Sequence, residues 1–338
     1  MAAPLQGKPI FIVSAPRSGS TLLRLILDAH PQLAVPPPGW LFHFVYPYLY
    51  SYGDLDVEEN FRELVEDILE APTIKRWPIE VSMEKILSNV EERTFRGVYE
   101  CLHVLYANDF DKHRWGEKTP RNSVWIDEIM SLFPDAQIIH LLRDGRDVAI
   151  DISDADFLPG TVYAGAQVWR NFVSAVKRSE EKLGPESFFE IRYENLCRDP
   201  ERELGKLCEF LGEEFSDHML SHYEFGSSAQ WSKDPRHAET ARPINTDFVD
   251  MYKTRLRKLD IEALNSLLGD MLHSFGYLTE GNSASLEDTE AFQLFEHDTI
   301  TTSDSVEYKK WHRRRRTDRR DRRIWKDADK NSLLWGFD

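Results

Sequence analysis

Cysteine is scarce. Cys101, Cys197 and Cys208 are the only three in 338 residues, and they do not stand at metal-ligand spacing. An odd, low count points to reduced thiols and an intracellular, cytoplasmic protein, with no metal expected. Long apolar runs are also missing: no stretch reaches the ~18 residues of a membrane-spanning helix. The segment before Phe11, "MAAPLQGK", is too short and too polar for the apolar core of a signal peptide. Positive charge is in the minority. With 42 Lys and Arg against 58 Asp and Glu, the net charge is −16. That balance argues against a general nucleic-acid binder and leaves room for one local basic pocket that takes an anion. What the chain does have is core material, 41% apolar and 12% aromatic. Its length suffices for one large α/β domain or two modest ones.

Strand signals fall at Pro9–Ser14, Gln137–Leu142 and Phe188–Arg192, with helical patterns between them. Val57, Phe61, Leu64, Val65, Ile68 and Leu69 keep helix spacing. Trp125, Ile126, Ile129, Met130 and Phe133 do the same behind Asn122, which reads as an N-cap. In "DPERELGKLCEFLG", Asp199 reads as N-cap, Pro200 as the first helical residue and Gly212 as the stop. A further stripe, Ile261 to Leu272, ends at Gly276. Strands alternating with helices predict an α/β fold with a mostly parallel central sheet and helices on both faces.

After about Thr279 the composition changes. An acidic stretch leads into "KKWHRRRRTDRRDRRIWKD", with eight arginines in the eleven residues Arg313–Arg323. The reading is a core domain over 1–280 and a charged extension over 281–338. The basic run fits a solvated tail, a helix docked on the acidic body, or a docking segment for an anionic partner such as RNA, lipid or protein.

Near the start stands "FIVSAPRSGSTLL", an apolar run entering a loop that opens a helix. A helix start presents unpaired N–H groups and partial positive charge, and N–H groups of a turn form an anion nest. Gly19 lets the backbone approach an anion closely. Ser20 and Thr21 bring hydroxyls, and Arg17 brings a planar cation suited to oxyanions. The nucleotide-kinase loop, G-x-x-x-x-G-K-[ST], does not match: Ser20 stands where its Lys would be and Ser14 where its first Gly would be. The loop is therefore poorly equipped for a β/γ-phosphate and its metal. A second strand–turn–helix, "IIHLLRDGRDVAIDIS", puts Arg143 at a strand end, where open α/β sheets bind ligands. Arg146 follows in the turn. With the first loop, these two arginines look like a second phosphate subsite.

The blocks "APRSGSTLLRLILDAHPQL", "WGEKTPRN", "LFPDAQIIHLLRDGRDVAIDIS" and "FFEIRYENLCRDPERELGKLCEFLG" resemble the successive blocks of sulfotransferases that use 3′-phosphoadenosine 5′-phosphosulfate. The likeness is to the bacterial-type and tyrosylprotein-type branches and spans roughly residues 8–280. It implies the P-loop-like fold of that family and transfer of a sulfuryl group to a hydroxyl or amine, with no metal. It implies that Arg17, Ser18, Gly19, Ser20, Thr21 and Leu22 cradle the 5′-phosphosulfate, that Arg143 binds the 3′-phosphate, and that Tyr193 belongs to the nucleotide site. The family commonly carries Ser eight residues after that arginine. Here the position is Asp151, with Ser153 as the nearest substitute.

Sulfuryl transfer needs in-line geometry, neutralisation of charge on the bridging oxygen and, for a hydroxyl, a general base. Arg17 and Lys118 are the candidate cations, Lys118 lying in a block that the resemblance places at the cleft. Relatives often have "PPE" after the first helix, with Glu as base, but here Pro38 takes that place in "AVPPPGWLFHF". Glu117 and His43 are the candidates, with His103 behind them. Trp40, Phe42, Phe44, Tyr46, Tyr48 and Tyr50 read either as packing or as the wall of a site for a sugar, phenol or lipid-like alcohol. Two other classes remain open at this point: a nucleotide-binding protein without turnover, and a kinase that would require Mg²⁺.

Overall fold

A computed structural model describes residues 7–155, 160–225 and 239–277. The extension expected over 281–338, with its arginine run, lies outside the described residues.

Five strands, β1 (Ile10–Ser14), β2 (Leu33–Ala34), β3 (Arg114–Lys118), β4 (Gln137–Leu142) and β5 (Phe188–Arg192), form a parallel sheet in the order β2-β3-β1-β4-β5. Parallel neighbours need crossover connections, and helices supply them. In chain order these are α1 (Ser20–Asp28), α2 (Leu41–Phe44), α3 (Glu58–Glu70), α4 (Met83–Asn89), α5 (Phe95–Asp109), α6 (Ile126–Leu132), α7 (Gly145–Ser153), α8 (Val162–Glu180), α9 (Tyr193–Arg198) and α10 (Pro200–Leu211). A last long helix covers Lys258–Ser274.

Alternation along β1 divides the core. Phe11 and Val13 join a cluster with residues of α3 and α5, while Ile10 and Ile12 join one with α1, α9 and α10. Phe11 touches the rings of Tyr99, Trp115 and Phe133, so truncating it would cost on the order of 3–5 kcal/mol. A third cluster around the fully buried Trp169 ties α7 and α8 to the last helix.

The three expected strands are present within a residue. Of the other two, β2 is only two residues long, and β3 carries no apolar signature. β3 reads Arg-Trp-Gly-Glu-Lys yet is buried along its whole length, because its charges find partners inside. Arg114, for example, donates to the carbonyls of Lys8 and Leu211 and pairs with Glu213 at 3.1 Å. α10 has Asp199, Pro200 and Gly212 in the expected places, Gly212 at φ 75°. Asn122 is not a helix cap. α6 starts at Ile126 behind Trp125, and Asn122 lies in the 3₁₀ turn Pro120–Val124 with its amide committed to Glu117.

β1 has β3 on one side and β4 on the other. The loops after β1 and β4 therefore emerge side by side at the carboxyl end of the sheet, where such folds bind ligands.

Candidate active site

The loop joining β1 to α1 is Ala15–Gly19. Arg17 (φ 66°) and Gly19 (φ 93°) both take left-handed backbone. For Arg17 this costs roughly 1–2 kcal/mol. Left-handed residues in a turn let successive N–H groups converge on an anion. Gly19 is the N-cap of the nine-residue α1, with no side-chain cap and no acid in the first turn. The helix start is thus left open toward negative charge. The hydroxyls of Ser14 and Ser18 and Nε of Arg17 are buried with no protein partner among the described residues.

Arg143 follows β4 directly and is buried. Its Nη1 donates to the Arg17 carbonyl at 2.8 Å and to the Asp151 carboxylate at 2.5 Å, and its Nη2 donates to the Phe248 carbonyl at 2.8 Å. The guanidinium also stacks on Tyr193, 4.8 Å from the ring centre, and Tyr193 in turn lies against Gly19. Burial pushes the Tyr193 phenol well up, so it stays neutral. Arg17, Gly19–Leu22, Arg143, Asp151 and Tyr193 line one cavity, roofed by the segment 239–248.

Lys118 and Glu117 are neighbours on β3 and point to opposite faces of the sheet. Lys118 is buried, and its Nζ reaches Thr21 Oγ1 at 3.2 Å, beside the β1–α1 loop. Glu117 turns the other way, toward Tyr99. Its carboxyl accepts from the Thr119 hydroxyl, the Asn122 amide and the N–H groups of Gly39 and Thr119. Full burial outweighs those donors and raises its pKa to about 7. Thr119 Oγ1 in turn accepts from the Trp40 N–H at 3.4 Å. Glu117 thus clamps the Gly39–Trp40 turn, where Trp40 holds a left-handed φ of 58°, onto the end of β3.

That clamp positions α2 and with it His43, which is half-buried and 3.4 Å from Nη1 of Arg121 through Nε2. The remaining candidates separate. His103 is buried in the core, bound to the Tyr99 carbonyl at 2.7 Å, and is not among the residues lining the cavity; burial lowers its pKa to about 4. Arg146 does not line the cavity. Its guanidinium is bidentate to Asp144, bonds Asn265 at 2.9 Å and covers Tyr252 at 3.8 Å, which makes it a tie to the last helix. Ser153 donates to the Ile150 carbonyl at 2.8 Å, and Asp151, not Ser153, faces the cavity. Trp40, Phe42 and Phe44 are buried in the core, and the outer part of that segment, Tyr46, Tyr48 and Tyr50, keeps exposed surface.

Sequence reasoning missed the clamp residues Thr119 and Asn122 and the roof around Phe248. "WGEKTPRN" offers polar residues without saying which face each takes. "TARPINTDF" contributes a backbone carbonyl, which leaves no side-chain signature.

Residues 9–217 match the model of the Sulfotransferase family. An uncharacterized protein of Aquifex aeolicus is 26% identical over 264 residues, covering 75% of this chain and 30% of its own length. A protein-tyrosine sulfotransferase of Drosophila melanogaster is 24% identical over 221 residues, covering 64% and 40%. The chain therefore spans less than half the length of these two relatives. Among solved structures, the sulfotransferase domain of the Synechococcus PCC 7002 olefin synthase superposes with a TM-score of 0.56 at 21% identity, over 82% of this chain and 98% of that domain. The matched segment runs from β1 through α10 and contains both the β1–α1 loop and Arg143. The chain belongs to the sulfotransferase family.

Proposed function

We propose that the chain transfers a sulfuryl group from 3′-phosphoadenosine 5′-phosphosulfate to a hydroxyl or amine acceptor. The observation that carries this is the uncapped start of α1, flanked by Arg17 and joined through the Arg17 carbonyl to Arg143. It suits a single terminal anionic group with a second anion-binding position one strand away. The buried, unpartnered Ser18 hydroxyl and Arg17 Nε fit such a donor. Ser20 in place of lysine argues against a kinase.

In this reading Ser18 to Leu22 hold the 5′-phosphosulfate by their N–H groups, Ser20 and Thr21 adding hydroxyls. Arg17 and Lys118 neutralise the bridging oxygen as the S–O bond to the 5′-phosphate breaks. The acceptor oxygen forms the new bond to sulfur in line with the leaving oxygen. Its proton passes to a base, for which we assign His43, because the carboxyl of Glu117 is already spent on the clamp. Glu117 is then a positioning residue. Arg143 and Tyr193 hold the ribose end of the nucleotide. No metal enters this scheme, no transfer step being routed through one.

The described helices include none long and apolar enough to cross a membrane. The three cysteines are free and buried, which supports a cytoplasmic setting. The acceptor is a small molecule or glycan, with Tyr46, Tyr48 and Tyr50 as a candidate wall. Residues 1–280 form the catalytic domain in this reading, and the arginine run beyond it is a docking segment for an anionic partner.

The test is calorimetric binding of adenosine 3′,5′-bisphosphate, followed by transfer of radiolabelled sulfate across phenol, sugar and alcohol acceptors. Binding with transfer to at least one class is expected. Binding without transfer to any acceptor would favour a nucleotide-binding protein.

A further inference from the structure

Arg143 and Asp151 meet at 2.5 Å inside the donor cavity, and both line it together with Gly19–Leu22 and Tyr193. Three of the five N–H donors of Arg143 are committed, while its buried Nε has no hydrogen-bond partner among the described residues. Both Nη1 hydrogens are used, by the Arg17 carbonyl and Asp151, and Nη2 gives one to the Phe248 carbonyl. Its charge is matched by the carboxylate. A second arginine on the wall, Arg242, is paired with Glu239 and lies 4.0 Å from Asp247. Among the described residues, Arg17 is the one lining arginine with no carboxylate at ion-pair distance.

A carboxylate is an anion that only accepts hydrogen bonds, and so is a phosphate. The two repel when they share one arginine. A hydroxyl is the better complement to Asp151, since it carries no charge and donates. Dinucleotide sites separate ribose hydroxyls from ribose phosphates on this principle, an acid taking the hydroxyl and an arginine the phosphate.

We propose that Asp151 is a specificity residue that occupies the anion position at Arg143, so that the cavity accepts nucleotides with a free 3′-hydroxyl about as tightly as their 3′-phosphorylated counterparts. The inference rests on the placement of the donor ribose at Arg143 proposed above. It widens the donor class to adenosine 5′-phosphosulfates with an unmodified ribose. It also makes the 3′-phosphate of the bisphosphate product a weak anchor.

The experiment measures the affinities of adenosine 3′,5′-bisphosphate and adenosine 5′-monophosphate for the full chain and for Asp151→Ser and Asp151→Asn, with a melting curve for each. The native chain should favour the bisphosphate by less than ~10-fold. Each variant should gain ~10–100-fold for the bisphosphate, as expected when a charged hydrogen bond is released to the phosphate, and lose up to ~10-fold for the monophosphate, whose hydroxyl exchanges a charged acceptor for a neutral one. Agreement of the two variants identifies the charge of Asp151, not its packing, as the cause. A native preference above ~10-fold, or an unchanged ratio in both variants, overturns the proposal and leaves the donor site standing. Loss of both affinities in both folded variants also overturns it, because Asp151 would then be a support for Arg143. Binding of neither nucleotide to the native chain overturns the donor site and this proposal together.

Discussion

The ring of Tyr193 lies so close to Gly19 that a Cβ on Gly19 would stand 2.6 Å from two of its carbons. Tyr193 cannot retreat easily, because Arg143 covers its ring at 4.8 Å. The loop from β1, the residue just after β4 and the helix after β5 thus meet in one stack. Gly19→Ala meets two obstacles, the ring and a φ of 93° that an L side chain disfavours by about 1–2 kcal/mol. The variant should stay folded with a lowered melting point and lose at least ~10-fold in affinity for adenosine 3′,5′-bisphosphate, as a displaced backbone donor would cause. Calorimetry on the folded variant checks this. Unchanged affinity would place the nucleotide away from the loop.

Arg17 combines a strained backbone with a buried Nε that has no protein partner among the described residues. That strain is worth holding only if the guanidinium is aimed at something. Arg17→Ala should cost at least ~10² in turnover, the scale of one preorganised oxyanion donor. Arg17→Lys restores the charge without the planar fork and should recover only part of it. Single-turnover rates with saturating donor separate this loss from weaker binding. Turnover within a few-fold of native in Arg17→Ala would remove it from the transition state.

Burial raises Glu117 from 4.5 to about 7, so the folded chain keeps its proton to higher pH than the unfolded chain does. The contribution is complete below about pH 4.5 and is lost as pH rises through about 7. At ~1.4 kcal/mol per unit, the loss is at most about 3–4 kcal/mol. Glu117→Gln removes the titration. Urea unfolding at pH 5 and pH 8 should show the native chain losing more stability over this interval than the variant. Parallel profiles would mean that the donors from Thr119, Asn122 and Gly39 keep Glu117 ionised in the fold.

The places of the β1–α1 loop and of Arg143 were legible because each follows an apolar strand, and a strand followed by Gly, Ser and Arg marks a strand-to-helix turn locally. β3 was not legible as a strand. Its five residues include Arg114, Glu117 and Lys118, and their burial depends on partners far along the chain, such as Glu213 and Thr21. The separation of Glu117 from Lys118 follows from that hidden strand: adjacent residues look like partners until the pleat sends them to opposite faces. Asp151 was visible as a departure from the family pattern. Only the structure shows it directed at Arg143, because the orientation of α7 is set by packing against α8 and the last helix. Arg146 resembled Arg143 in sequence, and its structural role came from Asp144, Asn265 and Tyr252, two of which lie over a hundred residues away.

His43→Asn tests the base. The clamp of Glu117 and Thr119 fixes the turn at Trp40, α2 follows, and His43 sits on α2 beside Arg121. Asn keeps a polar side chain of similar reach and cannot take a proton. With an alkyl alcohol or sugar acceptor, whose hydroxyl does not ionise unaided, turnover should fall by ~10²–10⁴, the range of a positioned general base. Nucleotide affinity should stay within about twofold, because Arg17, Arg143 and Tyr193 are untouched. A series of phenols of falling pKa then separates a base from a merely structural residue. As the acceptor grows acidic enough to lose its proton to water, the penalty of His43→Asn should shrink toward one. A structural defect in α2 would instead slow every phenol by the same factor, and that flat penalty across the series would remove His43 from the proton's path.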